Sequence, residues 1–355
     1  MSIVFIVIGT ISILATFIPL IANKKWWVRA FDFPHIQITV LTCIAGIGFA
    51  FTQPKDILEI IFLAVLCITF LYQLKIIFPY TPLATKQIAD TKYANKNASI
   101  RVFSSNVLQD NRDFERFKKV FKNNNPDIAV LLEVDDWWRE QLQVFDDYTH
   151  RVEFPLDNYY GIILLSKFPL KETEVKFLIA DDIPSIHGKV QLKNGTWVRL
   201  YCIHPMPPSP TENEKSLDRD AELLLVAKEI REHHQGEPVI VLGDLNDVAW
   251  SHTTRMFQRI SQLLDPRIGR GFFNTFHVNY PFLRWPLDHL FVSNDFQLTQ
   301  LKRLPNIGSD HFAMFAELCH NCNTKTNEAP ENASIEDQEE ALETIIEGKK
   351  ENGKL

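Results

Sequence analysis

The sequence has no surplus of basic charge. Its 37 lysines and arginines stand against 44 aspartates and glutamates, a formal net charge of −7 over 355 residues. The electropositive footprint of general nucleic-acid binding is therefore missing. Residues 1 to 97 hold eight basic and four acidic side chains, residues 320 to 355 hold four and nine, and the stretch between holds 25 and 31. Cysteine is scarce as well, and five cysteines without a paired framework give no support to a disulfide scaffold. Cys43 and Cys67 lie in apolar runs and Cys202 in a strand-like one. Cys319-His320-Asn321-Cys322 is a lone ligand-like cluster with no second pair to complete a structural zinc site. No basic residues precede the first apolar run and no Ala-x-Ala-like site follows it, which argues against a cleaved signal peptide.

Apolar residues are plentiful, at 46%, and concentrated at the start. Ile3 to Ala22 is twenty residues without a charge, enough to cross a hydrocarbon core of about 30 Å. Phe33 to Pro54 is a second uncharged run. Ile57 to Phe78 is a third, with only Glu59 and Lys75 near its ends, where long side chains snorkel. The reading is a transmembrane region over residues 1–78 with three helices. Two spans plus an interfacial or buried helix is the alternative, because the second run contains Pro34, His35 and Gln37. Trp26 and Trp27 directly follow Lys24 and Lys25, as in an interfacial belt beside a basic loop. With three spans, Lys24, Lys25, Arg29, Lys75 and Lys86 share one side with everything downstream, and only Lys55 faces the other. The positive-inside rule then puts the large C-terminal part in the cytoplasm; failure of the second span inverts that.

Residues 79–97, with Pro79, Pro82 and the polar run from Lys92 to Ser99, lack periodicity and read as a linker. From Ile100 short apolar runs alternate with helical ones. Strands are expected at Ile100 to Ser104, Asp127 to Leu132, Tyr160 to Ser166, Lys189 to Leu192, Thr196 to His204, Pro238 to Leu242, Asp288 to Ser293 and Phe312 to Leu318. Asn194-Gly195 is a hairpin signal. Helices are expected over 112–124, 135–145, 218–234 and 253–263. This mixture implies an α/β or α+β sandwich and not a strictly doubly wound sheet. Residues 320–355, rich in Glu, Asn and Lys, read as an acidic disordered tail with one transient helix from Ile335 to Lys349.

Polar residues suited to chemistry recur where the strands end. The buried run Pro238 to Leu242 stops at Gly243 and offers Asp244, Asn246 and Asp247. Asp244 and Asn246, two apart, point the same way if strand geometry persists. Such a segment can equally be a plain turn whose Asx side chains satisfy backbone groups. Asn106, Glu133 and His204 follow other strands, Asp288 and His289 open one, and Asp310 and His311 precede the last. Each alone has a bland structural explanation; the repeated placement of the whole set at strand termini does not.

Ser105-Asn106, Leu132-Glu133, Ile203-His204-Pro205, Gly243-Asp244-Leu245-Asn246, Leu287-Asp288-His289 and Ser309-Asp310-His311 resemble, in order, the motif series of the endonuclease/exonuclease/phosphatase (DNase I-like) superfamily. Gly161 to Leu170 is similar to its strand and turn between the second and third motifs. His204-Pro205-Met206-Pro207-Pro208 resembles the small bacterial membrane-anchored branch, which implies an integral protein of a bacterial inner membrane. The resemblance covers residues 98–319. It implies a four-layer α/β sandwich behind the transmembrane region, and Mg²⁺-dependent hydrolysis of a phosphodiester or phosphomonoester, Mn²⁺ being able to substitute. Glu133 is the implied principal metal ligand, with Asp310 or Asn106 nearby. Asp244 would deprotonate or orient the attacking water, Asn246 would hold a phosphate oxygen or that base, and His311, oriented by Asp288, would contact the scissile phosphate. His204 would protonate the leaving group or bind phosphate, Arg219 is a weaker phosphate-binding candidate, and His289 reads as structural. The substrate stays open between a lipid or soluble phosphoester and nucleic acid. A catalytically inactive membrane-tethered interaction module is the reading from another class.

Overall fold

The computed structural model describes residues 2–21, 23–53, 56–92, 95–233, 236–322 and 327–355. It begins with α1 (Ser2–Phe17), a single turn α2 (Trp26–Arg29), α3 (His35–Ala50) and α4 (Ile57–Ile77). Two of these stretches, Ile3–Leu20 and Ile57–Tyr80, are long and apolar enough to cross a membrane. A third is added if the pair Trp26–Asp32 and His35–Ala50, bent by 67°, counts as one span. The bend falls at Pro34, which cannot supply the backbone N–H that would continue the helix. One polar contact joins two of these helices directly: Gln73 Nε2 donates to Thr16 Oγ1 at 2.5 Å. Ala22, Pro54 and Lys55, which bound the first two apolar runs and the loop after the second, lie outside the described residues.

The rest of the chain stacks four layers. One sheet has the order β10-β11-β1-β2-β4-β3 and the other β5-β6-β7-β8-β9. In chain order these are β1 (Ser99–Asn106), β2 (Ile128–Leu132), β3 (His150–Phe154), β4 (Ile162–Ser166), β5 (Leu170–Lys176), β6 (Ser185–Gln191), β7 (Trp197–Cys202), β8 (Val239–Asp244), β9 (Asp288–Val292), β10 (Phe296–Arg303) and β11 (Met314–His320). The sheets face each other across a dry layer in which Val102, Val130 and Leu164 meet Val198, Leu200 and Ile240. Because alternate residues of a strand point to opposite faces, Phe103, Ala129 and Leu131 are left to pack outward against α5 (Phe114–Asn124) and α6 (Asp136–Gln141). Tyr201, Val241 and Phe291 do the same beneath α7 (Leu217–His233) and α8 (His252–Ser261). His234, expected at the end of α7, lies outside the described residues.

The linker and the tail differ from expectation. Residues 79–92 are stitched to the domain and are no loose tether. Ile88 is buried among the inter-sheet core side chains, Asp265 N–H donates to Gln87 Oε1 at 2.6 Å, and Thr91 N–H and Leu298 N–H bond reciprocally with Leu298 and Ala89 carbonyls at 3.0 Å each. One apolar side chain and a bridge to β10 suffice to hold a segment that has no period of its own. The acidic tail carries α9 (Ile335–Glu351), docked on α7 through Ala341 and Ile345 and capped by Ser334, with Arg259 holding Asp337 at 2.6 and 2.8 Å. Composition pointed to disorder because the apolar stripe needed for docking is only a few residues wide. Cys319 and Cys322 are disulfide-bonded to each other, so the ligand-like spacing reflects a local clip.

A Cβ at Gly348 would lie 2.6 Å from Ala221 Cβ, so the α7–α9 contact requires glycine there. Gly348→Val is expected to undock α9 and speed amide exchange across residues 335–351 by about tenfold or more, with β1, β2 and β8 unchanged. Hydrogen-exchange mass spectrometry checks this.

Candidate active site

The strand registers bring the candidate residues together. β1 and β2 run parallel with Asn106 opposite Leu132, so Asn106 and Glu133 leave the same end of the first sheet. β7 and β8 are parallel with Cys202 opposite Leu242, which sends His204 and Asp244 off the matching end of the second. Antiparallel β9 pairs Asp288 directly with Asp244. Ser309 Oγ donates to Asn106 O at 2.9 Å and accepts from His311 N–H at 3.0 Å, fixing the turn before β11 beside β1. Gly243 has φ +146°, and a Cβ there would lie 1.9 Å from Ile203 O. Only glycine lets the two strand ends approach this closely. Glu133 and Asn246 both hold left-handed backbone, φ 58° and 50°. Each costs of order 1–3 kcal/mol, the kind of strain that gathers at functional sites.

Asn106, Glu133, His204, Asp244, Asn246, Asp310 and His311 line one cleft of about 260 Å³, with Tyr159, Tyr160, Glu212 and Phe276 completing its wall. Asp288 sits directly behind it. Its Oδ2 bonds His311 Nδ1 at 2.8 Å, leaving Nε2 3.5 Å from Asp244 Oδ2. His204 Nε2 lies 3.9 Å from the same oxygen. Asn106 Nδ2 donates to Glu133 Oε1 at 2.6 Å and to Asp244 Oδ2 at 3.3 Å, while its oxygen accepts from Leu108 N–H at 3.0 Å. Asn106 therefore presents a donor to the carboxylates, where a metal ligand would present an oxygen. Asn246 commits one amide N–H to Pro205 O at 2.9 Å.

Burial disfavours the charged form of both histidines, yet their net shifts are opposite because their neighbours differ. Burial lowers His204 to about 4, with Asp244 only partly opposing it, so the ring is neutral. Burial would lower His311 too, but Asp244, Asp288 and Asp310 outweigh it and raise the pKa to about 10, so this ring is a cation. Burial pushes Glu133 up to about 7, and Asp310 and Asp244 add to the rise against the Asn106 hydrogen bond and His311.

Two expectations are corrected. Arg219 is not in the cleft: wholly buried, it bonds Asp220 Oδ1 at 2.8 and 3.0 Å, lies 3.4 Å from Asp247 Oδ2 and donates to Asn246 O at 2.9 Å. It braces the loop that carries Asn246 and has no free donor directed at a ligand site. Asp247, the third polar residue after Gly243, likewise turns inward, accepting from Ser251 Oγ at 2.6 Å. His289 is placed between Asp247 O and Arg267, at 2.9 and 2.7 Å. Tyr160, whose ring centroid is 5.3 Å from that of His204, and Phe276, 4.8 Å from His311, were not foreseen. Phe276 belongs to an irregular loop without periodicity, so nothing in the sequence marked it.

The donor set suits a hard divalent cation. Glu133, Asp244 and Asp310 offer carboxylate oxygens, and among the described residues lining the cleft there is no Lys or Arg to balance them. Asp244, Asp288 and His311 also offer ligand atoms within 4.8 Å of one another. Asp288 and His311 are bonded together, and the Glu133 oxygens accept from Asn106 Nδ2 at 2.6 Å and Gln109 N–H at 3.3 Å.

A sequence model described as the endonuclease/exonuclease/phosphatase family matches residues 102–311. The uncharacterised protein YbhP of Escherichia coli K12 is 26% identical over 153 residues, which cover 39% of this chain and 53% of YbhP; the chain thus spans about half the length of the curated relatives it matches. The fold is similar to an endonuclease/exonuclease/phosphatase from Beutenbergia cavernae (TM-score 0.51, 16% identity, 65% of this chain and 74% of that one). It is similar too to the human nocturnin catalytic domain with bound sulfate (TM-score 0.50, 18% identity, 66% and 97%) and to truncated Caenorhabditis elegans TDP2 (TM-score 0.50, 20% identity, 63% and 99%). With well over half of its length matched and the two facing sheets in place, the chain belongs to the endonuclease/exonuclease/phosphatase family, a family of metal-dependent phosphoester hydrolases.

Proposed function

We propose that the chain is a membrane-held phosphoesterase that hydrolyses a phosphodiester or phosphomonoester with Mg²⁺ or Mn²⁺. The observation that carries this reading is the convergence, in one cleft, of Glu133, Asp244 and Asp310 with two histidines of opposite protonation. Glu133 is assigned as the principal metal ligand with Asp310 beside it, and Asn106 as the donor that holds Glu133 and Asp244 in register. When bound, the cation neutralises charge on the phosphoryl group and the departing oxygen.

Asp244 orients the attacking water and accepts its proton. His311, kept cationic and aimed by Asp288, donates to the phosphoryl oxygen that gains charge. His204, kept neutral, hydrogen-bonds a second phosphoryl oxygen, one of the two roles that the resemblance implied, and the departing oxygen takes up a proton from water. Asn246 supplies its remaining amide N–H to the substrate. Pairs of groups whose surroundings push their pKa values apart are how one site runs acid and base chemistry together. A nuclease reading has less support, since the cleft wall is acidic and the stretch from 98 to 319 is net negative.

The full chain in detergent is expected to cleave bis(p-nitrophenyl) phosphate with Mg²⁺ or Mn²⁺ and to stop in chelator; full activity in chelator overturns the metal mechanism. Glu133→Gln and His311→Ala are each expected to lower turnover about 100-fold or more without lowering the melting temperature enough to unfold the protein. A panel of plasmid DNA, RNA, lipid phosphoesters and inositol phosphates ranks substrates, and cleavage of DNA alone reverses the ranking above.

The pH dependence follows from the two raised groups. The proton on Glu133 competes with the cation, so the Mg²⁺ concentration for half-maximal rate is expected to rise about tenfold per unit as pH falls below about 7. For His311 the folded pKa, about 10, exceeds the ordinary 6.5. Its contribution to stability is complete below about 6.5 and is lost as pH rises through about 10. NMR titration of the ring checks this, and Asp288→Asn is expected to lower the His311 pKa.

A further inference from the structure

Residues 276–285 form a short hairpin that joins the cleft to the apolar helices. At its base Phe276 and Trp285 exchange backbone hydrogen bonds. Phe276 packs against His311 on one side, while Trp285 meets Phe33, two residues before α3, edge to face at 5.7 Å. The hairpin is braced: Arg284 donates to His277 O at 3.1 Å and Val278 O at 2.5 Å, and its guanidinium stacks on Phe312. Its tip, Asn279-Tyr280-Pro281-Phe282-Leu283, carries no charge, yet Phe282 is 88% exposed, Tyr280 57% and Leu283 49%. Leaving such side chains in water forfeits the free energy that burying them would release.

The level of the tip is fixed by a direct bond. Gln37, in the first turn of α3, donates from Nε2 to Phe282 O at 2.7 Å. The tip therefore lies where α3 leaves the domain. Other exposed apolar residues occur at the same end of the helices: Trp27 on α2, Phe78 just after α4 and Leu83 in the following turn. Large apolar side chains flanking the ends of apolar helices form the belt that settles into the headgroup region.

Resting on the phosphoester reading of the cleft, we propose that the tip of this hairpin inserts into the interface of the bilayer that holds α1, α3 and α4, and so presents the cleft to a phosphoester carried on a lipid. The occupant is the bilayer because the exposed patch is continuous, through the Gln37 bond and the Phe33–Trp285 contact, with the helices apolar enough to cross it. A lipid headgroup lifted past Phe282 then meets Phe276 and His311 without leaving the membrane surface.

The test uses the full chain in nanodiscs of phosphatidylglycerol and phosphatidic acid. A nitroxide is attached at Phe282→Cys in a background carrying Cys43→Ala and Cys67→Ala. Collisions with oxygen, favoured over a water-soluble nickel chelate, are expected; a nickel-favoured label overturns the membrane contact. Phe282→Ser is expected to lower hydrolysis of the nanodisc lipids by about tenfold and to leave soluble bis(p-nitrophenyl) phosphate within about twofold of wild type. Equal loss on both substrates, or cleavage of the soluble one alone by wild type, overturns the lipid assignment. If wild type cleaves neither, the phosphoester reading fails and the lipid substrate with it, while the nitroxide still decides the contact.

Discussion

Two polar bonds cross between the sheets at one end of the sandwich, and the site depends on them. Asn106 at the end of β1 reaches Asp244 at the end of β8, and His311 before β11 reaches Asp288 at the start of β9. Elsewhere the sheets meet through a non-directional hydrophobic layer that includes Val102, Val130, Val198, Phe168 and Phe296. Here directional bonds in a dry setting set the register of one sheet on the other. The left-handed backbone at Glu133 and Asn246 and the glycine at 243 follow from that constraint. They let the chain turn off each strand early enough for its side chain to face the seam.

The same constraint explains what could be read from the sequence. Interior strands announce themselves as short apolar runs, and the parallel pairs β1–β2 and β7–β8 need their polar residues just past the last apolar one. That is why Asn106, Glu133, His204 and Asp244 stood out. The three strands missed by inspection, β3, β5 and β10, are edge strands, with one face or one end open to water and a polar composition to match, such as Leu-Lys-Glu-Thr-Glu-Val-Lys in β5. Edges need such residues to discourage pairing with other chains, so their hydrophobic period is blurred. Arg219 failed as a phosphate candidate for the converse reason. Its spacing on a helix reports that it faces the sheet, and only tertiary packing decides whether its guanidinium meets a ligand or three buried oxygens. Tyr160 and Phe276 carry no local signal, because their role depends on which histidine lies opposite.

The apolar helices and the sandwich share more than a covalent connection. Tyr80 donates to Ala249 O at 2.6 Å, Trp250 Nε1 donates to Asp32 O at 2.8 Å, and Ile76 and Ile77 pack with Val248 and Leu287. The loop before α2 pairs with residues 214–216 through Trp26 N–H to Glu214 O and Ser216 N–H to Lys24 O. Leu287 immediately precedes Asp288, and Val248 follows Asp247. The bundle thus touches the neighbours of the residues that support the site.

The stitched segment around Ile88 gives that arrangement a direction. Because Ile88 reaches the layer between the sheets and Gln87 holds Asp265, the chain enters the sandwich before the first strand begins. A protease nicking near residue 95 would release no intact soluble hydrolase, since the severed piece would carry away part of the interior.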